Sequence, residues 1–187
     1  MIHVMEIILL RHGKPNVVLG GFLNTKKFKH LVYAYEQSGI QDFPPEKLKQ
    51  SFRDHYVVCS DLPRSIESAK KLNVSPIQLS EALFREADIP FFDFFYLKLP
   101  VTVWVILLRV MWLCGFSKNA ESFLQAKDRG KQAAEKLTHL AIENKKILVV
   151  GHGLINRLIE KQLQKKGWLA SKRIGKSYWE FRKYTKS

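Results

Sequence analysis

The sequence predicts an α/β fold, a three-layer α/β/α sandwich with a mostly parallel central sheet. Short apolar runs typical of buried strands alternate along the chain with segments of helical apolar spacing. Continuous Val, Ile and Leu runs indicate strands covered on both faces, which is typical of parallel sheets. The chain has 187 residues, 46% of them apolar, which suits one domain with a substantial core. We therefore expect a single domain over residues 1–187.

The first half of the chain supplies two strands and two helices to this prediction. Apolar runs at residues 4–10 and 56–59 predict buried strands. Apolar residues three and four positions apart predict an amphipathic helix over 25–38. A second helix is predicted directly after the second strand, with Ser60 or Asp61 as its candidate N-cap.

The second half continues the alternation. A short strand is predicted near 76–79, and helical spacing over 123–140 predicts a long helix with Asn119 as a candidate cap. The run at 147–150 predicts another buried strand, again followed by a helix. Residues 177–184 are a candidate last strand at the edge of the sheet.

The charge balance favours anionic partners. The chain carries 31 Lys+Arg against 17 Asp+Glu, a net charge of +14, which attracts phosphorylated metabolites, phosphoproteins, anionic lipid or nucleic acid. The lysines are dispersed and no groove-reading motif is present, so we expect no specific nucleic-acid binding.

Cys59 and Cys114 lack metal-site spacing, and the apolar run at 7–10 is too short for the hydrophobic core of a signal peptide. We therefore expect a cytoplasmic protein.

Three polar signatures stand where predicted strands end. They are Arg11-His12-Gly13, Ser60-Asp61-Leu62-Pro63-Arg64 and Gly151-His152-Gly153. In open parallel sheets, ligands bind just beyond the carboxyl ends of the strands. The signatures are far apart in sequence, but this rule predicts that they converge in space.

Two arginines and two histidines at one sheet edge predict a dense anion-binding pocket. Arg11 and Arg64 can each hold phosphate oxygens with a planar fork of N–H donors. One imidazole, if neutral with one nitrogen free, can attack phosphorus. The other can donate hydrogen bonds to the equatorial oxygens during transfer. A nearby carboxylic acid would protonate the leaving oxygen and later activate water.

The sequence resembles the histidine phosphatase superfamily, also called the phosphoglycerate mutase-like proteins. Five segments carry this resemblance in the order that the family has them. They are Arg11-His12-Gly13, Ser60-Asp61-Leu62-Pro63-Arg64-Ser65, Arg85-Glu86, Ala120-Glu121-Ser122 and Gly151-His152-Gly153. Together they span roughly residues 4–160, apart from a middle insertion.

The resemblance implies a phosphoglycerate mutase-like fold and a metal-independent phosphatase without a cofactor. It makes His12 the phosphorylated nucleophile and Glu86 the acid and base. It also implies that Arg11, Arg64 and His152 hold the phosphoryl group. The implied substrate is a phosphorylated small molecule or a phosphoprotein.

The phosphate side departs from the family pattern just after the first motif. Lys14-Pro15 stand where the family often has an acidic or amide residue and a threonine. The family often has an asparagine in the phosphate pocket a few residues after its first motif, and in this chain that position is occupied by Val18. The nearest asparagine, Asn16, is therefore a candidate phosphate ligand.

The segment that follows the candidate acid departs as well. After Glu86 the family commonly has a glycine and a tryptophan-containing stretch, whereas this chain has Ile-Pro-Phe-Phe at 89–92. Glu81 and Asp88 are alternatives for the acid. The substrate side of the site is therefore less well defined than the phosphate side.

Residues 89–116 form an apolar insertion. Its densest part, 100–116, is 17 residues long and contains Arg109, so it is shorter and more polar than the usual spanning helix of about 20 apolar residues. We favour a cap over the active-site mouth that forms an apolar substrate pocket. Peripheral membrane contact, assisted by the basic stretch 165–187, and a homodimer contact are alternatives.

Three functions remain open on the sequence alone. The leading one is hydrolysis of phosphomonoesters through a phosphohistidine on His12. A phosphoglycerate mutase-type phosphotransferase shares the first half of that reaction. A catalytically weak module that binds membranes or phosphoproteins would use the positive charge and residues 89–116 instead.

Overall fold

A six-stranded sheet organises the chain in the computed structural model, which describes residues 4–49, 51–74, 76–91, 96–175 and 177–187. The described strands are β1 (Met5–Arg11), β2 (Phe22–Leu23), β3 (Tyr56–Ser60), β4 (Leu79–Glu81), β5 (Leu99–Pro100), β6 (Lys146–Gly151), β7 (Leu169–Ala170) and β8 (Phe181–Lys186). The sheet has the order β4-β3-β6-β1-β8-β7, and β2 pairs with β5 in a separate two-stranded sheet. Strands β4, β3, β6 and β1 run parallel to one another.

Strand β8 corrects the prediction of an edge strand over 177–184. It begins later, at Phe181, and lies inside the sheet, antiparallel to β1 on one side and to β7 on the other. The two-residue strand β7 is the actual edge. A pairing of two residues leaves no periodic pattern that sequence reasoning could detect.

Helices cover both faces of the sheet. The described helices are α1 (Thr25–Glu36), α2 (Glu46–Lys49), α3 (Pro63–Lys71), α4 (Val101–Leu113), α5 (Phe123–Asn144) and α6 (Gly153–Lys165), with a 3₁₀ turn at Ala82–Phe84. Alternate β1 residues Ile7 and Leu9 pack in one core with α5 and α6. Ile8 and Leu10 point the other way and pack with α3. The predicted three-layer α/β/α sandwich with a mostly parallel sheet is confirmed.

Two helix starts differ from the predictions. The N-cap of α3 is Leu62, whose side chain makes no cap hydrogen bond, and Ser60 instead accepts from the Leu62 amide at 3.3 Å. Helix α5 begins after Ser122, not after Asn119, because Ser122 and Gln125 form a complete capping box. The predicted strand at 76–79 forms three residues later, as β4.

The described part of the insertion contains β5 and α4. Helix α4 buries Val101, Trp104 and Leu108 against Phe28 of α1 in a third core cluster. Trp112, one turn further on, joins the main core beneath α5 and α6. The insertion is thus fastened to the domain at two places. Among the described residues, no helix is long and apolar enough to cross a membrane.

Trp112 should carry much of the attachment of α4. Its side chain is fully buried, its Nε1 donates to the Glu121 carbonyl oxygen at 2.6 Å, and its ring meets Phe123 edge-on. We expect Trp112→Ala to lower the free energy of unfolding by about 3 to 5 kcal/mol, because it leaves a cavity and an unpaired carbonyl. Denaturant titration measures this change.

The neighbouring Leu113, which is 53% exposed, is the matched control. Leu113→Ala should change the free energy of unfolding by no more than about 0.5 kcal/mol. Equal effects of the two substitutions would contradict this packing.

Candidate active site

The carboxyl ends of β1, β3 and β6 bring the predicted signatures together. Strands β1 and β6 pair with Arg11 opposite Gly151, and the His12 amide donates to the Gly151 carbonyl oxygen at 3.0 Å. Strand β3 pairs in parallel with the other side of β6. The ring centroids of His12 and His152 lie 4.9 Å apart as a result. The convergence predicted from the three signatures is therefore present.

His12 is held as a neutral imidazole with a defined tautomer. Its Nδ1 lies 2.7 Å from the Gly13 carbonyl oxygen, and because a carbonyl only accepts, Nδ1 must carry the proton. Burial, with 1% of the side chain exposed, and the neighbouring Arg64 and Arg11 guanidinium groups lower the pKa of His12 to about 3. Nε2 thus keeps its lone pair at neutral pH, which is what a nucleophile needs.

His152 is the second neutral imidazole. It is completely buried, and its Nε2 lies 3.2 Å from the Ser65 hydroxyl oxygen. Burial, then the neighbouring His12 and the positive charge of Arg64, hold the pKa of His152 well below its usual value. The contact with Ser65 holds the ring through Nε2, and Nδ1 is the ring nitrogen that does not take part in it.

Two guanidinium groups flank the histidines. Arg64, in the first turn of α3, is 1% exposed; one of its terminal nitrogens donates to the Tyr35 carbonyl oxygen at 3.0 Å and to that of Glu36 at 3.3 Å. The Arg64 guanidinium also lies 4.5 Å from the centre of the Tyr35 ring. Arg11 lies 4.8 Å from the centre of the Tyr178 ring. Neither side chain forms an ion pair with a carboxylate of the described residues.

Three buried nitrogens at this edge have no hydrogen-bond partner in the described part of the chain. They are Nε of Arg11, Nε of Arg64 and Nδ1 of His152. Leaving a buried polar group unpaired is costly, so most such groups in proteins have a partner. Two guanidinium donors lie here beside an imidazole nitrogen that donates in the tautomer whose Nε2 accepts from Ser65. Such a set is suited to an anion with several oxygens, such as a phosphoryl group.

Side-chain hydrogen bonds to the backbone fix the loop that carries His12. The Ser68 hydroxyl accepts from the Gly13 amide at 2.9 Å and donates to the Arg64 carbonyl oxygen at 2.6 Å. Asn156, one turn into α6, donates to the Leu10 carbonyl oxygen at 3.1 Å. Helices α3 and α6 therefore hold the end of β1 from both sides.

Trp179 explains why a glycine follows His12. A Cβ atom at Gly13 would lie 2.5 Å from the Trp179 ring and 2.6 Å from the Asp42 carboxylate, which is far too close. Asp42 accepts from Trp179 Nε1 at 2.9 Å and from the Lys14 amide at 2.7 Å, so the indole is held in place. The close approach of this indole requires glycine in the motif.

Glu86 lies at the amino end of α6. Its Oε1 accepts from the amides of Ala87, Leu154 and Ile155 at 3.0–3.1 Å, whereas Oε2 accepts, among the described residues, from the Leu154 amide at 3.1 Å. The helix that follows His152 therefore positions the carboxylate directly. Oε2 is the less engaged oxygen.

Arginines hold the loop that carries Glu86. Arg85 forms two hydrogen bonds with the Asp61 carboxylate, at 2.6 and 2.7 Å, which ties this loop to the end of β3. Arg129 of α5 donates to the Arg85 carbonyl oxygen at 2.8 Å. Arg109 of α4 donates to the carbonyl oxygens of the two residues after Glu86, at 3.0 and 3.1 Å. The insertion thus helps to position the candidate acid.

A cavity of about 340 Å³ adjoins these residues. Its walls include Arg64 and Glu86 together with Ile89, Phe91 and Arg109 of the insertion. Its charged members are of both signs: Lys29, Arg64, Arg85, Arg109, Glu36, Glu86 and Asp88. The insertion therefore lines the substrate side, where charged residues, including the arginines that hold the Glu86 loop, stand beside apolar ones such as Ile89 and Phe91; an apolar substrate pocket stays a prediction.

Three further residues are candidates for phosphate binding or for the acid, namely Asn16, Glu81 and Asp88. Asn16 is exposed, its amide donates to the Gly39 carbonyl oxygen, and its side chain makes no hydrogen bond within the described residues, so its phosphate contact stays a prediction. Glu81 pairs with Lys136 at 2.5 Å. Asp88 lines the cavity, where burial raises its pKa.

Sequence reasoning missed several supporting residues. Ser68 and Asn156 each lie four positions after a predicted site residue, on the same helix face, which is a signal that could have been used. Arg129 lies eight residues after Glu121, to whose carboxylate its Nε donates at 3.0 Å, and Tyr178 lies within the predicted last strand, but no local pattern marks either as part of the site.

Solved structures with the same fold include three proteins of low sequence identity. The mycobacterial glucosyl-3-phosphoglycerate phosphatase Rv2419c has a TM-score of 0.57 at 15% identity, over 87% of this chain and 80% of its own. Rv3214 from Mycobacterium tuberculosis has a TM-score of 0.56 at 20% identity, over 83% of this chain and 77% of its own. TTHB049 from Thermus thermophilus has a TM-score of 0.52 at 20% identity, over 86% of this chain and 85% of its own. The predicted phosphoglycerate mutase-like fold is confirmed.

Comparison at the level of sequence adds nothing to this, since no family model and no curated protein matches the chain. In addition, the described residues contain no group of three or more His, Cys, Asp or Glu side chains placed to bind a metal ion.

The state of His12 can be tested by titration. With a folded pKa of about 3, against 6.5 for an unperturbed histidine, His12 should stay neutral from pH 7 down to pH 4. Ring nitrogen chemical shifts from NMR should therefore be unchanged over that range. The unfolded state binds the extra proton first, so stability should fall as the pH drops below about 6.5.

His12→Gln is the control, since it removes this contribution and should flatten part of the pH dependence of unfolding. A His12 ring that titrates near pH 6.5 in the folded protein would contradict the assignment of a buried, neutral nucleophile.

Proposed function

We propose that this chain is a phosphatase of the histidine phosphatase superfamily, which hydrolyses phosphomonoesters through a phosphohistidine on His12. One observation carries the proposal. A neutral imidazole with Nε2 free lies beside three buried nitrogens, on Arg11, Arg64 and His152, that have no partner among the described residues. This arrangement has a nucleophile for phosphorus and donors for the three equatorial oxygens.

The first half-reaction transfers the phosphoryl group to the enzyme. The Nε2 lone pair of His12 attacks phosphorus while the bond from phosphorus to the ester oxygen breaks. Arg11 and Arg64 donate to the equatorial oxygens, and His152 donates through Nδ1 while its Nε2 accepts from the Ser65 hydroxyl. The leaving oxygen takes a proton from Glu86 and departs as an alcohol.

The second half-reaction releases phosphate. Glu86, now a carboxylate, takes a proton from water as the water oxygen attacks phosphorus and the bond to Nε2 breaks. Inorganic phosphate and neutral His12 result, so the enzyme returns to its starting state. The less engaged Oε2 of Glu86, which faces fewer amide donors than Oε1, is the oxygen that handles the proton.

The substrate is a phosphorylated small molecule or a phosphoprotein side chain whose leaving group enters the cavity beside Arg64 and Glu86. A volume of about 340 Å³ suits a small leaving group. One of the proteins with the same fold is a glucosyl-3-phosphoglycerate phosphatase, which supports this reaction class. Charged walls of both signs favour a polar leaving group over a purely apolar one.

His12→Ala should abolish hydrolysis of p-nitrophenyl phosphate, with a loss of at least about 10³-fold in kcat, because it removes the imidazole that forms the intermediate. The exposed His30, on α1, provides the control, and His30→Ala should keep wild-type kcat. Because the mechanism uses no metal, EDTA should leave the wild-type rate unchanged. Full activity in His12→Ala would contradict the proposal.

Glu86→Gln tests the proton donor. The variant should lose about 10²- to 10⁴-fold in kcat with an alkyl phosphate, whose alkoxide needs a proton to leave. The loss should be much smaller with p-nitrophenyl phosphate, because nitrophenolate leaves without a proton. Steady-state kinetics with both substrates measures the difference.

Glu81→Gln is the matched control, since Glu81 is a carboxylate nearby in sequence that is paired with Lys136. It should lower both rates equally or not at all. An equal loss with both substrates in Glu86→Gln would assign the acid to another group.

A further inference from the structure

Helix α4 is apolar on the side that packs inward and also on the side that faces solvent. Its inward residues are Val101, Trp104, Leu108 and Trp112. Opposite them lies a stripe that we call the α4 outer face, formed by Val103, Ile106, Leu107, Val110 and Leu113 at helical spacing. Each of these five side chains is between 40% and 64% exposed. Contiguous exposed apolar surface of this kind marks an interaction site.

The apolar surface continues beyond the helix. Phe22 of β2 is 69% exposed and pairs with Pro100, the residue just before α4. Tyr96 and Leu97, which lead into β5, are also largely exposed. Aromatic and branched side chains therefore extend past the amino end of the α4 outer face.

Basic residues flank this surface at both ends. Lys98 is exposed directly before β5, and Lys118 is exposed shortly after α4 ends. Lys26 and Lys27 are exposed in the first turn of α1, three residues beyond β2, which pairs with β5. No acidic residue occurs in the sequence over 7–35 or 96–120. The flanks are thus purely cationic in sequence.

We propose that the α4 outer face docks on an anionic membrane surface, with α4 lying in the plane of the interface. Thirteen residues of helix extend about 20 Å, which suits an interfacial helix and is too short to span a bilayer. The apolar stripe would enter the acyl boundary, and the flanking lysines would meet anionic headgroups. This inference does not depend on the phosphatase proposal, since it uses none of the site residues.

Charge favours a membrane over a second copy of the chain. In a symmetric dimer through the α4 outer face, the lysines at the edge of one copy would face the same lysines of the other. Like charges brought together in this way oppose association. An anionic bilayer instead supplies the complementary charge along with the apolar phase.

Vesicle co-sedimentation of the full chain tests the proposal. Wild-type protein should bind vesicles of phosphatidylcholine mixed with phosphatidylserine, and should bind phosphatidylcholine vesicles far more weakly. The double variant Ile106→Glu/Val110→Glu should lower the partition coefficient by at least about tenfold. Lys26→Ala/Lys27→Ala should lower it by about fivefold per lysine at low salt, and added salt should reduce the difference.

Ile142→Glu is the matched control, because Ile142 is similarly exposed but lies near the far end of α5. It should bind as the wild type does, and thermal unfolding should show that every variant is folded. If the double variant does not fold, Ile106→Ser/Val110→Ser replaces it. The proposal is overturned if the wild type ignores phosphatidylserine vesicles, if the folded α4 variants bind normally, or if these variants only dissociate a dimer in sedimentation experiments.

Discussion

The parallel pairing of β1 with β6 is the constraint on which the candidate site depends. Its register places Arg11 opposite Gly151, so the residue after each strand is a histidine and the two imidazoles must meet. A shift of the register by one residue would turn the alternating core residues of β1 to the wrong faces. The hydrophobic core therefore fixes the position of His12, the proposed nucleophile, and the arrangement of the site follows from the packing of the sheet.

Burial of His12 and His152 gives their proximity a chemical consequence. The same desolvation that holds His12 and His152 neutral also strengthens every donor aimed at an incoming anion. Arg64 is the centre of this arrangement, since it is buried, stacks on Tyr35, and has a nitrogen without a partner among the described residues. The two histidines are neutral, and the Glu86 and Glu36 carboxylates interact favourably with Arg64, which together explain how the buried guanidinium is tolerated.

The sequence predicted the parts of the fold and site that depend on local patterns, and it missed those that depend on distant contacts. Buried strands and the convergence of their polar ends follow from apolar runs and from the geometry of parallel sheets. The two-residue strand β7, Arg129 and Tyr178 leave no such pattern. The insertion illustrates the limit most clearly, because nothing in its apolar composition indicates that Arg109 donates hydrogen bonds to the backbone of the Glu86 loop.

The central claim is that phosphate passes through the Nε2 nitrogen of His12. Wild-type protein mixed with p-nitrophenyl phosphate and quenched in alkali should carry one phosphoryl group on the peptide that contains His12. Mass spectrometry should locate the group on that imidazole, and brief acid treatment should remove it, because phosphohistidine is acid-labile. Turnover without any phosphoenzyme, or a phosphoryl group on a different residue, would contradict the account.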